Sequence, residues 1–547
     1  MTGMLSIRRG LLLALLSFAL SACGGGGGSD PSPNPPPPPA PRISKAEAYR
    51  FLHQASFGPT ENEAQRVIQR GYAAWIDDQI ATPASLQLPY LQGLALPPGT
   101  DVEQVDRYDA WYRNVVRGPD QLRQRIAFAL SEIMVVSDNS GLSQFPLALA
   151  YYYDILAQGA FGNYRQLMED VTLNPSMGFY LSMLGNEKPD AARNIRPDEN
   201  YARELMQLFT IGLVELNLDG TERRDVQGQP IPTYDQDTIK GFAHVYTGWT
   251  FGGSPSWFQP SFNFQRPMQA FAAFHDTGAK RVLNGAVIPA GQTAEKDLDD
   301  ALDNIFDHPN VGPFVARRLI QRLTASNPSP AYVRRVAERF NDNGAGVRGD
   351  LAAVVRAILL DPEARQAATD ASSGKLKEPL LRLIALWRAF DGKAANGRYL
   401  FPQVSFFFGQ APLSAPSVFN FFAPDYAPPG EIRDAALFAP EMQVTNDLTA
   451  TLSTNILLFE IYLRNSSTPG LAASDIYIDI SAEEPLAADA AGLVDRVADK
   501  FLGERAPEPL RSEAIAVVNR APLANPALRV AEALFLIASS PAYAALR

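Results

Sequence analysis

Thiols are almost absent from this chain. Cys23 is the one cysteine in 547 residues, so no internal disulfide can form, and a cysteine nucleophile or a thiolate metal centre in the body is excluded. Histidine is scarce too, with His53, His244, His275 and His308 the whole supply. Basic residues are outnumbered: 48 Lys and Arg against 59 Asp and Glu give a net charge of -11, which argues against general nucleic-acid binding. No GxSxG elbow, HExxH pair or P-loop occurs, so the commonest hydrolase and nucleotide-binding mechanisms lack their local marks. Asp276-Thr277-Gly278 spells the aspartic-protease triplet, but it occurs once, behind a histidine and in a helical context, and does not mark such an enzyme. Past the first residues no stretch is apolar for long enough to span a bilayer.

What is present begins with an export signal. Arg8 and Arg9 precede an uncharged apolar run from Gly10 to Ala19, then small residues before Cys23. Residues 1–22 are therefore expected to be removed, by the general or the twin-arginine route. "LSAC" resembles the lipobox of bacterial lipoproteins, whose cysteine is acylated, and Gly24 after it would favour the outer membrane. Acyl chains at about 0.8 kcal/mol per buried methylene hold a soluble body firmly to a membrane. The following "GGGGGSDPSPNPPPPPAP" is a swivel and spacer extending about 3.1 Å per proline. The expected order is signal peptide (1–22), lipidated cysteine and tether (23–42), and body (43–547).

The body reads as mainly α. "SKAE" (Ser44 to Glu47) and "TENE" (Thr60 to Glu63) are capping boxes, and Gly71 sits where the second helix should stop. Leu351, Val354, Val355, Ile358 and Leu359, and again Leu380, Leu383, Ile384 and Trp387, fall at helical spacing. Strand signals are few: Asn284-Gly285 between apolar pairs in Arg281 to Ile288 predicts a hairpin, and Asp219-Gly220 predicts a second. At this length two lobes are expected. Thr247 to Phe274 and Tyr399 to Gly430 combine aromatics with Gly, Pro and Ser, and read as long structured loops that either stack a ligand or partner or bury their rings around helices.

Four places could carry chemistry. In "RPDENYARELMQLFTIGL" (Arg196 to Leu213), Asp198 can cap a helix whose Asn200, Arg203, Glu204 and Gln207 share one face. That face is either solvated, with Glu199 paired to Arg203, or lines a pocket with Glu204 as acid, base or ligand. His244 lies among apolar neighbours, as a core histidine or a site residue. In "FHDTGAK", Asp276 can accept the Gly278 N–H in an Asx turn, leaving His275 as a structural ring, a proton carrier or a ligand. Glu204, His244, His275 and Asp276 supply metal-ligating atoms without diagnostic spacing, so no cofactor is expected and a divalent metal stays open. His308 belongs to a helix start. After it Arg317, Arg318, Arg322, Arg334, Arg335 and Arg339 form a basic band, either a site for a phosphorylated or sulfated polysaccharide or a solvated face paired with Glu338 and Asp342.

"YRFLHQASFGPT", "NYARELMQLFTIGL", "FAHVYTGWT", "FHDTGAK", "HPNVGPFVARRLIQRL", "RGDLAAVVRAILLDPEA" and "GQAPLSAPSVFNFFAPDY" together resemble the bacterial domain-of-unknown-function family 1800 along nearly the whole body. The resemblance implies an exported, largely helical protein, with an exported family related in fold to sulfatases and alkaline phosphatases as a partner. It carries Asn200, Arg203, Glu204, Trp249, His275, Asp276, Gly278 and Lys280 as matching positions. It also implies a histidine in relatives where this chain has Phe209, which weakens a metal reading here. The resulting expectation is an envelope binding or accessory protein for an enzyme or an anionic polysaccharide, anchored at Cys23. The alternatives are a hydrolase with Glu204, His275 and Asp276 as catalytic groups and Asn200, Arg203, His244, Trp249 and Lys280 as binding groups, or a surface-assembly protein.

Overall fold

The computed structural model describes residues 42–367 and 372–546. The expected signal segment, Cys23 and all of the tether but Arg42 lie outside the described residues. Ile43–Arg547 form one compact unit, whose main apolar core runs from Ala48 to Tyr543. Among the described residues the protein has 24 α-helices and three two-stranded antiparallel sheets. None of these helices is long and apolar enough to cross a membrane.

Local sequence sets the helix ends much as expected. Helix α1 (Lys45–Ala55) starts at Ser44 with both hydrogen bonds of the capping box in place. Helix α2 (Glu61–Arg70) starts at Thr60 and ends at Gly71, whose φ of 85° favours glycine. Its box is only half made: Thr60 accepts the Glu63 N–H, while the Glu63 carboxylate turns to the buried Arg388. Helix α3 (Gln121–Ser131) is buried on nearly every face and ends against Glu132. Helix α4 (Asn200–Glu204) is short and runs directly into a π-helical stretch, Leu205–Thr210. Then come α5 (Gln236–Val245), α6 (Ala294–Phe306), α7 (Val311–Leu323), α8 (Pro330–Asn341), α9 (Leu351–Leu360) and α10 (Pro379–Ala389). The apolar stripes on α9 and α10 are buried, as their spacing requires.

Strands are few and short. β1 (Trp249–Thr250) pairs with β2 (Gln269–Ala270), β3 (Lys280–Arg281) with β4 (Val287–Ile288), and β5 (Lys375–Leu376) with β6 (Ala545–Leu546). Both predicted hairpins form. The first is β3–β4, which turns across Asn284-Gly285, both at positive φ. The second, around Asp219-Gly220, is an irregular ribbon from Leu213 to Thr233, with bridges at Val214–Pro232, Leu216–Glu222 and Arg224–Pro230. The two aromatic stretches are not wholly irregular: the first holds β1 and β2, the second a short helix at Val404–Phe408.

Helix α7 is the element against which distant segments assemble. It packs on α8, on α3 and on the π-helical stretch. Buried Asn310, just before α7, donates to Ile211 O and Val214 O and accepts the Leu216 N–H. One amide thus fixes the start of the ribbon to the start of the helix. On the other side, Gln321 donates to Pro424 O, and Asn327 exchanges two hydrogen bonds with Phe438, which docks the 411–438 segment along α7.

Candidate functional site

The predicted cluster around "FHDTGAK" is a buried ion network. His275 is 1 % exposed and Asp297 on α6 fully buried. The His275 Nε2 lies 2.9 Å from Asp297 Oδ2 and its Nδ1 lies 2.9 Å from Thr247 O, so both ring nitrogens face oxygens. Lys280 Nζ lies 2.6 Å from the same Asp297 oxygen and donates to Asp276 O and Gly278 O. Gln292 completes the shell around Asp297. Gly248 makes room for this packing: a Cβ there would stand 2.8 Å from the His275 nitrogen. Each charged group has partners, and together they fasten the 275–281 segment to α6.

His244 and Asp276 pair on the outer side of this network. His244 Nδ1 contacts Asp276 Oδ2, and Asp276 also accepts the Gly278 N–H at 2.7 Å in the predicted Asx turn. The His244 hydrogen bond, helped by that turn, holds the Asp276 carboxyl at about 2. Trp249 is buried in β1 with its indole N–H unpartnered among the described residues.

Glu204 is joined to none of these groups by a hydrogen bond or ion pair. It is buried, one carboxylate oxygen has no partner among the described residues, and desolvation raises its pKa against the pull of Arg203. The Glu199–Arg203 pair of the solvated alternative forms, while Glu204 and Gln207 of the expected face part company. Asn200 is exposed, Arg203 pairs with Glu199 at 3.2 Å, and the π-helical register that follows Glu204 carries Gln207 to a different surface. Phe209 is fully buried. Among the described residues no three His, Cys, Asp or Glu side chains are grouped as a metal site would need.

That different surface is a cleft of about 490 Å³. Five stretches that are separate in sequence make it: Glu132 and Ile133 after α3, Gln207 to Leu216 at the end of the π-helical stretch, Gly220 and Glu222 of the ribbon, α7, and Val418 to Asp425 with Phe438 from the second aromatic segment and beyond. Gly212 has a φ of 74°, and a Cβ on it would meet the Phe314 ring at 3.2 Å, so this glycine lets the chain turn tightly against α7. Phe314, Arg318 and Arg322 follow one another at i, i+4 and i+8, with Arg317 beside them, so three guanidinium groups face the cleft within two turns.

The arginines are poorly compensated. Among the described residues, Arg317 and Arg318 have no hydrogen bond and no carboxylate within 4 Å; each lies over a ring, Phe438 at 5.9 Å and Phe314 at 5.0 Å. Burial, reinforced by the charges of Arg317 and Arg322, pushes Arg318 down to about 9, so it remains a cation at neutral pH. Buried Arg322 stacks on Phe422 at 4.3 Å, lies 3.6 Å from Glu132, and among the described residues leaves Nη1 without a hydrogen bond. Burial and the nearby Glu378 carboxylate push Glu132 up to about 8, which keeps it largely protonated at neutral pH. The other acids here are Glu222, engaged by Arg224, and Asp425, which lies beyond ion-pair distance. Asn420, in the left-handed region at φ 68°, has neither side-chain amide atom partnered among the described residues.

The paired-face reading of the basic band is therefore corrected. Among the described residues none of the six arginines pairs with Glu338 or Asp342; Arg334 reaches Asp219, Arg335 reaches Asp361, and the three on α7 turn into the cleft. Two functional groups escape a reading of the sequence. Asp297 interrupts the apolar stripe Ala294, Leu298, Ala301, Leu302, Ile305, and Glu132 interrupts the apolar run Ile126 to Val136; an acid in such a place is the available signal.

A family model described as "Protein of unknown function (DUF1800)" matches residues 50–545. No curated protein and no solved structure matches the chain.

Proposed function

The chain belongs to the DUF1800 family, and from that premise we propose that it is a binding protein of the cell envelope, held at Cys23 by a lipid anchor, whose arginine cleft takes an anionic ligand. One observation carries the reading: Arg317 and Arg318 point into a cleft with no carboxylate within ion-pair distance among the described residues. Unpaired, partly desolvated cations destabilise a fold, and proteins retain such groups where a ligand supplies the missing charge. Arg322, deeper in the cleft, is compensated in part by Glu132 at 3.6 Å and by the buried Glu378 carboxylate. A guanidinium fork matches carboxylate and phosphate oxygens in two-point contacts.

The test is calorimetric titration of the full chain with sulfate and acetate. Binding that weakens with salt and disappears in the Arg317→Ala/Arg318→Ala double variant supports the reading. Equal binding by the double variant overturns it. The anchor is tested separately by fractionation, where Cys23→Ser should release the protein from membranes.

A second reading, docking of an exported sulfatase- or phosphatase-like enzyme, draws on Phe258 and Phe262, which the first aromatic segment leaves 76 % and 68 % exposed. Capture of such an enzyme that survives Phe258→Ser/Phe262→Ser would remove it. The hydrolase alternative draws less support, because His275, Asp297 and Lys280 are mutually satisfied and buried.

A further inference from the structure

The walls of the arginine cleft say more about the ligand than its sign. Around the guanidinium groups stand Ile211, Leu213, Phe314, Val418, Phe419 and Phe422. Leu213 and Phe419 are 54 % and 57 % exposed, large apolar side chains left facing water at the mouth of a charged cleft. Besides the arginines, the polar side chains of the lining are Gln207, Asn420 and the carboxyl groups of Glu132, Glu222 and Asp425. Sugar hydroxyls set against the phenylalanine wall would lose their hydrogen bonds to water, at about 1–3 kcal/mol for each group left unsatisfied. An apolar chain would instead gain from every methylene buried. The volume of about 490 Å³ suits a small molecule rather than a polymer segment.

We infer that the cleft binds a single-headed anionic amphiphile, an acyl or aryl chain carrying a carboxylate or phosphate, with its head on Arg317 and Arg318 and its chain along the phenylalanine wall. This rests on the anion-binding reading above and narrows it to a ligand class. Arg322, stacked on Phe422, lies where head and chain meet. Asn420, buried and with its side-chain amide unpartnered among the described residues, offers the head group a neutral donor.

The test titrates acetate, hexanoate, decanoate and 1-decanol into the full chain bearing Cys23→Ser, which cannot be acylated. Affinity should rise about fourfold per added methylene until the cleft is filled, and decanoate should bind at least tenfold more tightly than decanol. Phe419→Ser, at an exposed position that the fold does not need, should weaken decanoate severalfold and leave acetate unchanged. If acetate and decanoate bind equally, the amphiphile is wrong while the anion site stands. If no carboxylate binds, or decanol binds as tightly as decanoate, the anion site itself is overturned. Decanoate affinity unaffected by Phe419→Ser, or kept by Arg317→Ala/Arg318→Ala, likewise places the chain elsewhere and overturns the inference.

Discussion

Replacing Arg318 by methionine should make the protein more stable and less able to bind. The side chain lies in the cleft wall with no ion pair among the described residues, and burial, with Arg317 and Arg322 adding like-charge repulsion, brings its pKa from 12.5 to about 9. At about 1.4 kcal/mol per pKa unit this bounds the cost of holding the charge at roughly 5 kcal/mol. Solvent at the cleft mouth screens much of that. Methionine keeps the contact with Phe314 and removes the charge, so the expected gain is about 1–2 kcal/mol. Urea titration should show a higher midpoint with an unchanged slope. Salt should narrow the gap between the two proteins, because screening relieves the repulsion only in the one that has it. A variant less stable by about 1 kcal/mol or more would refute the reasoning and make Arg318 a structural residue.

Four further outcomes rest on the same physical arguments. Asp297→Asn leaves Lys280 buried without its counter-charge and should cost about 3–5 kcal/mol by denaturant titration, whereas His275→Ala, which removes one hydrogen-bonding partner, should cost about 1–3 kcal/mol. The Asp276 carboxyl is depressed to about 2, so its contribution is present above about pH 4 and lost as pH falls through 2; His244→Ala should be clearly less stable than wild type at about pH 5 and converge with it by about pH 2. Glu132 is raised from 4.5 to about 8, so the support of its protonated form is full below about pH 4.5 and lost as pH rises through 8; Glu132→Gln should flatten the decline in stability between about pH 4.5 and about pH 8.

The fold was far more legible in the sequence than the site. Ser44, Thr60 and Gly71 announce helix ends because capping is a local interaction, settled within four residues. Asn284-Gly285 announces its turn for the same reason, since both residues tolerate positive φ. The stripes on α9 and α10 read correctly because burial follows the helical period. The grouping of Glu204 with Gln207 failed because it assumed an uninterrupted α register, and the hydrogen bonds from Ile211 and Gly212 back to Met206 show a wider turn that no spacing rule anticipates.

The cleft was visible only in fragments. The arginine band, the "LFTIGL" segment and the second aromatic stretch each stood out as unusual, but their convergence depends on Asn310, Gln321 and Asn327 tying distant segments to α7. Such ties link Asn310 to Ile211, Gln321 to Pro424 and Asn327 to Phe438, far apart in sequence, so no local pattern records them. His275 drew attention because histidine is rare here, while Asp297, the acid that determines its role, was hidden inside an ordinary amphipathic helix.

Arg317 and Arg318 must hold an anion if the proposed function is right. A crystal structure of the full chain soaked with selenate, read from the anomalous signal of selenium, tests this most directly. A peak is expected in the cleft within hydrogen-bond distance of both guanidinium groups, absent in crystals of Arg317→Ala/Arg318→Ala. Selenate bound at other surfaces with the cleft left empty would contradict it.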